Sequence, residues 1–314
     1  MLSFLARRLA IAVPTLIIAS MIIFALQQLL PGDTATALSG EERDPEVIAF
    51  IREKYHLDRS LPVRYAYWAQ DVLRGDLGES IRLQQPVSAL IAEKLPVTLQ
   101  LACMAMLIAL IIGVPMGILS AVKQGRTADY VANGIALWGL SIPNFWLGIL
   151  MILFFSVYLG WLPASGYVPP SESLAENLKA MIMPAFVLGN AIAAVMMRHT
   201  RAAMLQVLQS DYVRTARAKG VAPLAVIIRH CLRNAAVPII TLGALEFGQL
   251  LSGAILTEQI FSVPGFGKLM VDAVFNRDYA TVQGVVICTA ATYIVLNLLA
   301  DVAYVLVNPK LRQA

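Results

Sequence analysis

Apolar residues in this chain gather into six long runs, separated by stretches where charge and helix-breaking residues collect. The runs cover approximately Leu9–Leu29, Val97–Val122, Tyr130–Leu159, Met181–Met197, Ala235–Thr257 and Thr281–Val307. Each is long enough to cross roughly 30 Å of hydrocarbon as a helix. The pattern therefore predicts an all-α membrane protein with six transmembrane helices. A long loop, residues 31–96, follows the first span, and a basic region, residues 198–233, precedes the fifth. No repeat, low-complexity tract or linker divides the chain, which reads as a single transmembrane domain over residues 1–314.

The first loop carries helix signals of its own. Asp44 is placed to cap a helix with Pro45 at its first position, and Val47, Ile48, Ile51 and Tyr55 follow at helical spacing. A second run, Pro62 to Arg74, is rich in aromatics (Tyr65, Tyr67, Trp68) and stops at Gly75. Such short amphipathic helices pack on the outer face of a bundle or help to dock an external partner.

Composition agrees with the pattern. The chain is 58% hydrophobic and 14% charged, with a mean hydropathy of +0.70, outside the range of soluble domains. The distribution of charge adds orientation. Arg7, Arg8, Lys123, Arg126, seven basic residues from Arg198 to Arg233, Lys310 and Arg312 fall on one side, with only Asp129 and Asp211 as nearby acids. By the positive-inside rule that side is cytoplasmic, and so are both termini. The first run could be taken for a signal peptide, because Arg7 and Arg8 precede it and Ala35-Thr36-Ala37 resembles a cleavage site. Its length exceeds the roughly 7–15 residues of a signal-peptide core, so it is read as a span.

Cys103, Cys231 and Cys288 are far apart, and His56, His199 and His230 share no cluster with them, so neither a disulfide framework nor a metal site is expected. The polar residues inside the spans are more informative. Glu246 has Gln249 three residues on, and an ionisable group at that depth costs roughly 2.5–3.5 kcal/mol. Glu246 either lines a wet pathway or bonds to a neighbouring helix. Asn297, Asp301, Tyr304 and Asn308 share one helical face that should avoid lipid, with Asp301 read as a structural lock or, less simply, a solute contact. Pro143, beside Asn144, should kink the third span and free carbonyls, either to line the route or to shape packing. Gly113, Gly117, Gly243 and Gly248 read as close-packing contacts between helices.

The basic stretch from Ser210 to Pro238 has clear punctuation. Ser210 is placed to cap a helix with Asp211 in its first turn and Arg217 and Lys219 near its end, charges that suit the helix dipole. Gly220 should end that helix in a left-handed conformation, and Pro223 should open the next, which climbs through Ile227 and Ile228 into the fifth span. A loop that only fixed topology would need fewer charges and no capped helices.

This stretch resembles the cytoplasmic coupling motif of ABC importer permeases. Arg214-Thr215-Ala216 stands where the general pattern has Glu-Ala-Ala, Gly220 is in place, and Val237-Pro238 replaces Leu-Pro. The form found in peptide and nickel permeases, Tyr-x-Arg-Thr-Ala-Arg-Ala-Lys-Gly and then Arg-His-x-Leu-Arg-Asn-Ala, is matched by Tyr212–Gly220 and Arg229–Ala235. Pro31-Gly32-Asp33, Gly75-Asp76-Leu77-Gly78, Gly253-Ala254 before Glu258, Pro264-Gly265-Phe266-Gly267 and Asn308-Pro309 also resemble the membrane subunits of dipeptide and oligopeptide importers. Thr34 departs from the proline of many relatives.

The resemblance implies a type I ABC importer permease fold in a bacterial cytoplasmic membrane, with a structured extracytoplasmic first loop. It implies three kinds of partner besides the bilayer: a second, similar permease, two cytoplasmic ATPases and an extracytoplasmic solute-binding protein. ATP and Mg would sit on the ATPases, with no cofactor on this chain and no nucleic acid. Tyr212, Arg214, Thr215, Ala216, Arg217, Ala218, Lys219, Gly220 and Arg229 would form the ATPase-coupling region. Asn144, Glu246, Gln249, Asn297 and Asp301 are candidates for the pathway or for intramembrane locks. The rival reading is a self-contained ion-coupled transporter relaying protons through Glu246 and Asp301. It calls for internal inverted repeats, which the sequence lacks, and gives the basic hairpin no task. No phosphate-binding loop or nucleophile–base pair is present, so the chain reads as a translocation pathway rather than an enzyme.

Overall fold

A computed structural model describes residues 2–27, 44–54 and 58–307. All the regular structure among them is helical. We label the helices α1 (Leu2–Gln27), α2 (Pro45–Lys54), α3 (Leu61–Leu73), α4 (Val87–Val122), α5 (Thr127–Ser141), α6 (Asn144–Met151), α7 (Leu174–Leu208), α8 (Asp211–Ala218), α9 (Arg233–Ile260), α10 (Phe266–Phe275) and α11 (Tyr279–Val307). Wider π-helical turns, Ile152–Tyr158 and Val226–Leu232, extend α6 and lead into α9. The four continuous apolar spans lie in α4, α7, Pro223–Leu250 and α11, the pair α5 and α6 is a fifth bent by 98°, and Ala10–Leu26 in α1 is a shorter apolar helix. Each of the six apolar runs thus falls on a helix or a broken pair.

The chain divides into two compact units, Met1–Pro96 with Gly265–Ile294 and Val97–Pro264 with Val295–Ala314. In the first, the amphipathic helix α3 lies on α1, as its aromatic stripe suggests. Phe24 is buried between Tyr65 and Trp68, with ring centroids 5.6 and 5.4 Å away, and Ser20 Oγ shares a 2.7 Å hydrogen bond with Tyr65 Oη. Asp44 caps α2 by accepting a 2.9 Å bond from the Glu46 amide. Val87, Leu90 and Ile91 at the start of α4 pack against Phe266, Leu269 and Val285. The buried Ser80 hydroxyl donates to the buried Asp278 carboxylate, holding the loop before α4 to the turn between α10 and α11.

The second unit is organised around α7. Some 72% of its most apolar window is buried, against 33% for α4 and 22% for the span opening at Pro223. Small residues let α4 approach it closely. A Cβ on Gly113 would lie 2.5 Å from the Ala193 carbonyl oxygen, and one on Gly117 would lie 2.6 Å from that of Met197. Only glycine fits such backbone contact. Contacts advance in the same direction along both helices, so α4 and α7 run parallel, and the α4–α5 turn lies at the same end as the segment after α7.

Pro143 does more than kink the third span. Ile142 is extended (ψ 124°), as the steric demand of a following proline requires, and the helix stops and restarts at Asn144. Pro143 has no N–H to offer the Gly139 carbonyl four residues back. That oxygen instead accepts a 3.1 Å bond from Asn190 Nδ2 of α7.

Candidate coupling surface and intramembrane polar residues

Helix α8 is short, but both its ends are defined. Its N-terminus does not form as the sequence suggests. Ser210 occupies the N-cap position with extended backbone, yet its hydroxyl donates back to the Val207 carbonyl (2.6 Å) and caps nothing. The tight turn out of α7 competes for the same hydroxyl and takes it. Asp211 in the first turn still suits the dipole, and its carboxylate stands 3.7 Å from Arg214 Nη1.

The C-terminus forms as the sequence suggests. Gly220 is left-handed (φ +76°), its N–H bonds to the Arg217 carbonyl (3.0 Å), and the Val221 N–H bonds to the Ala216 carbonyl (3.2 Å). These two bonds make a Schellman motif; of its apolar partners, Ala216 belongs to the core of this unit and the half-buried Val221 packs against it. Pro223 then opens the next helical turn.

Burial sorts the side chains of α8 into two faces. Val213 and Ala216 are buried in the core, together with Val226 and Cys231 from the π-helical segment. Tyr212, Arg214, Thr215, Arg217, Ala218, Lys219 and Gly220 are exposed, and so is Arg229. Ala216, which the motif groups with the coupling residues, is thus an anchor facing inward. The outward face is basic and polar, rooted in the bundle by two small apolar side chains. Across the junction to α9, Asn234 Nδ2 donates to the His230 carbonyl (2.9 Å) within the irregular turn.

The intramembrane polar residues do not form one cluster. Glu246 and Asn297 are half-buried, Gln249 is exposed on α9, and Asn144 is half-buried at the first position of α6. None of these four is within hydrogen-bond distance of another. Asp301 lies in α11, but its side chain and that of Tyr304 fall outside the described residues, as do Asn308 and Pro31-Gly32-Asp33.

The structure brings together other polar groups that no local motif marks. The buried Asp129 and Ser120 join the half-buried Asn133 and Arg201 in one network at the end of the bundle shared with α8. Asp129 stood out in the sequence only as one of two acids on the basic side. At the opposite end, Gln100 Nε2 donates to Asn177 Oδ1 (2.5 Å), Asn177 Nδ2 to the Val168 carbonyl (2.7 Å), and Tyr167 Oη to Gln100 Oε1 (3.1 Å). Glu258 is fully buried and accepts a 2.5 Å bond from Thr98 Oγ1.

Comparison with known proteins settles the architecture. Residues 113–313 match the family described as the binding-protein-dependent transport system inner membrane component, and residues 1–102 match the N-terminal part of such a membrane component. The chain belongs to this family. The permease is 41% identical over 312 residues, 99% of each chain, to the glutathione transport system permease protein GsiC of Salmonella choleraesuis. It is 39% identical, with the same coverage, to a putative peptide transport system permease protein of Brucella abortus, and 38% identical over 309 residues to a probable peptide ABC transporter permease protein of Sinorhizobium fredii, spanning 98% of this chain and 99% of that relative. Among solved structures, an inward-facing MetNI methionine ABC transporter aligns with a TM-score of 0.58, covering 70% of this chain and 96% of that one at 18% identity. That likeness concerns the fold, a type I permease bundle. As the membrane component of a binding-protein-dependent system, the permease implies ATPase and substrate-binding partners.

Proposed function

We propose that this permease imports small peptides or a chemically related solute, driven by ATPases that grip the exposed face of α8. The observation that carries the proposal is the two-faced helix itself. Val213 and Ala216 fasten it to the core, while Tyr212, Arg214, Thr215, Arg217 and Lys219 present a polar, cationic surface that no part of the described chain covers. The names of the relatives support the solute class.

In this reading both termini and the α8 hairpin are cytoplasmic, and the working assembly adds a second, similar permease, two ATPases and an extracytoplasmic solute-binding protein. ATP and Mg are held by the ATPases, and this chain forms the pathway. Closure of the ATPases displaces α8, and the displacement rocks the bundle between inward- and outward-facing states. Glu246 and Gln249 project from the lightly buried α9 and line the route with Asn144 and Asn297, because a half-buried carboxylate is costly against lipid. Membrane vesicles holding the assembled system test this. Uptake should stop on ATP depletion and survive a proton-gradient uncoupler; the reverse pattern would favour ion coupling through Glu246.

A further inference from the structure

The network around the buried Asp129 ties four pieces of the second unit at one point, with Arg201 itself half-buried. Asp129 is 4% exposed. Arg201 of α7 grips it with both arms of its guanidinium, Nε to Oδ1 and Nη2 to Oδ2, each 2.9 Å. Ser120, near the end of α4, donates to Oδ1 (2.5 Å) and accepts from Arg201 Nε (3.0 Å). Asn133, one turn further along α5, donates to Oδ1 (2.8 Å), and the Gly125 amide of the α4–α5 turn donates to Oδ2 (3.0 Å). The carboxylate is saturated and the guanidinium is held in its fork, which fixes one relative register of α4, α5 and α7.

Stability alone is a poor reason for such a pair. Replacing a buried ion pair by well-packed apolar residues is often neutral or stabilising, whereas removing one partner is severe. What this network does hold is one arrangement of α4, α5 and α7. The location gives that arrangement a use. Arg201 lies seven residues before Leu208, where α7 ends, about 10 Å of helix. Gln209 and Ser210 are all that separate that end from α8.

We propose that Asp129 and Arg201 are positioning residues for energy coupling. Their pair makes the α4–α5 turn and the last turns of α7 one body, so that movement of α8 carries α4, α5 and α7 together. This rests on α8 being the coupling helix. Without the pair, α7 moves alone, and ATP hydrolysis is spent on bending it.

The test uses the complete transporter in proteoliposomes. Spin labels are placed at the exposed positions Gln124 and Gln206 in a background with the three native cysteines replaced. With the pair intact, the label separation stays constant between the nucleotide-free and ATP-bound states. In Arg201→Lys, which keeps the charge but loses the fork, the separation changes with nucleotide, and ATP consumed per solute rises roughly tenfold. Ser120→Ala, a milder cut in the same network, shifts both readouts the same way and serves if Arg201→Lys does not assemble. A constant separation with wild-type stoichiometry in these variants overturns the proposal, as does uncoupling with no change in separation. Gly220→Val separates the two readings: if it alone uncouples, α8 couples without this pair, and if it transports normally, the underlying reading of α8 fails.

Discussion

The Gly139 carbonyl, which Pro143 leaves without its helical donor, accepts a 3.1 Å hydrogen bond from the side chain of Asn190. A break in a span and the polar residue that compensates it therefore come from different helices, 51 residues apart. The bond is worth more where the proline is present, because only then does the carbonyl lack a partner. Asn190→Leu should lower the unfolding free energy of the purified permease by about 1–2 kcal/mol. In a Pro143→Ala background the same substitution should cost clearly less. Equal costs in a double-mutant cycle would mean that Asn190 does not serve the broken span.

Close approach of α4 to α7 gives a second prediction. Gly113→Val puts side-chain atoms where backbone stands 2.5 Å away, so the helices must separate or the bundle must shift. The expected loss is about 1–3 kcal/mol, read as a lower thermal midpoint in detergent, with Gly113→Ala intermediate. Gly134, whose Cβ would meet nothing within 4 Å, is the control, and Gly134→Ala should leave the midpoint unchanged or raise it.

In the first unit, Ser80→Ala leaves the buried Asp278 carboxylate without its hydroxyl donor, and the Leu83 amide without its 3.0 Å acceptor. The cost should be about 1–3 kcal/mol, concentrated locally. Limited proteolysis should then cut between Gly75 and Val87 faster than in the wild type. An unchanged cleavage rate would show that the apolar packing of Val87, Leu90 and Ile91 holds this loop unaided.

Sequence pattern and structure agree where local chemistry decides the conformation. Gly220 and Pro223 lie where steric rules put them, and so does the aromatic stripe of α3, because each responds to its own backbone or its own helical face. Ser210 shows the limit of local reasoning: two acceptable partners for one hydroxyl lay within reach, and the turn geometry chose between them. Pro143 announces a disruption, but the donor that serves the freed Gly139 carbonyl comes from another helix. Asp129 and Arg201 are 72 residues apart and share no periodicity, so their pairing is a property of the packed bundle. The same holds for Glu258 and Thr98, which meet across 160 residues.

The left-handed turn at Gly220 carries a functional prediction. A valine there must adopt a φ near +76°, costing about 1 kcal/mol or more, and the Schellman bonds to Arg217 and Ala216 should weaken. Membrane insertion should survive, because the spans are untouched. ATP hydrolysis by the assembled transporter should persist while solute uptake falls.

The exposed face of α8 is where the ATPases are expected to hold this permease. Photo-reactive side chains introduced singly at Arg217 and, as a control, at the exposed Leu73 of the first unit test it most directly in the assembled transporter. Arg217 should capture an ATPase subunit, with a yield that changes on ATP binding, and Leu73 should capture none. Capture from Leu73 but not from Arg217 would contradict it.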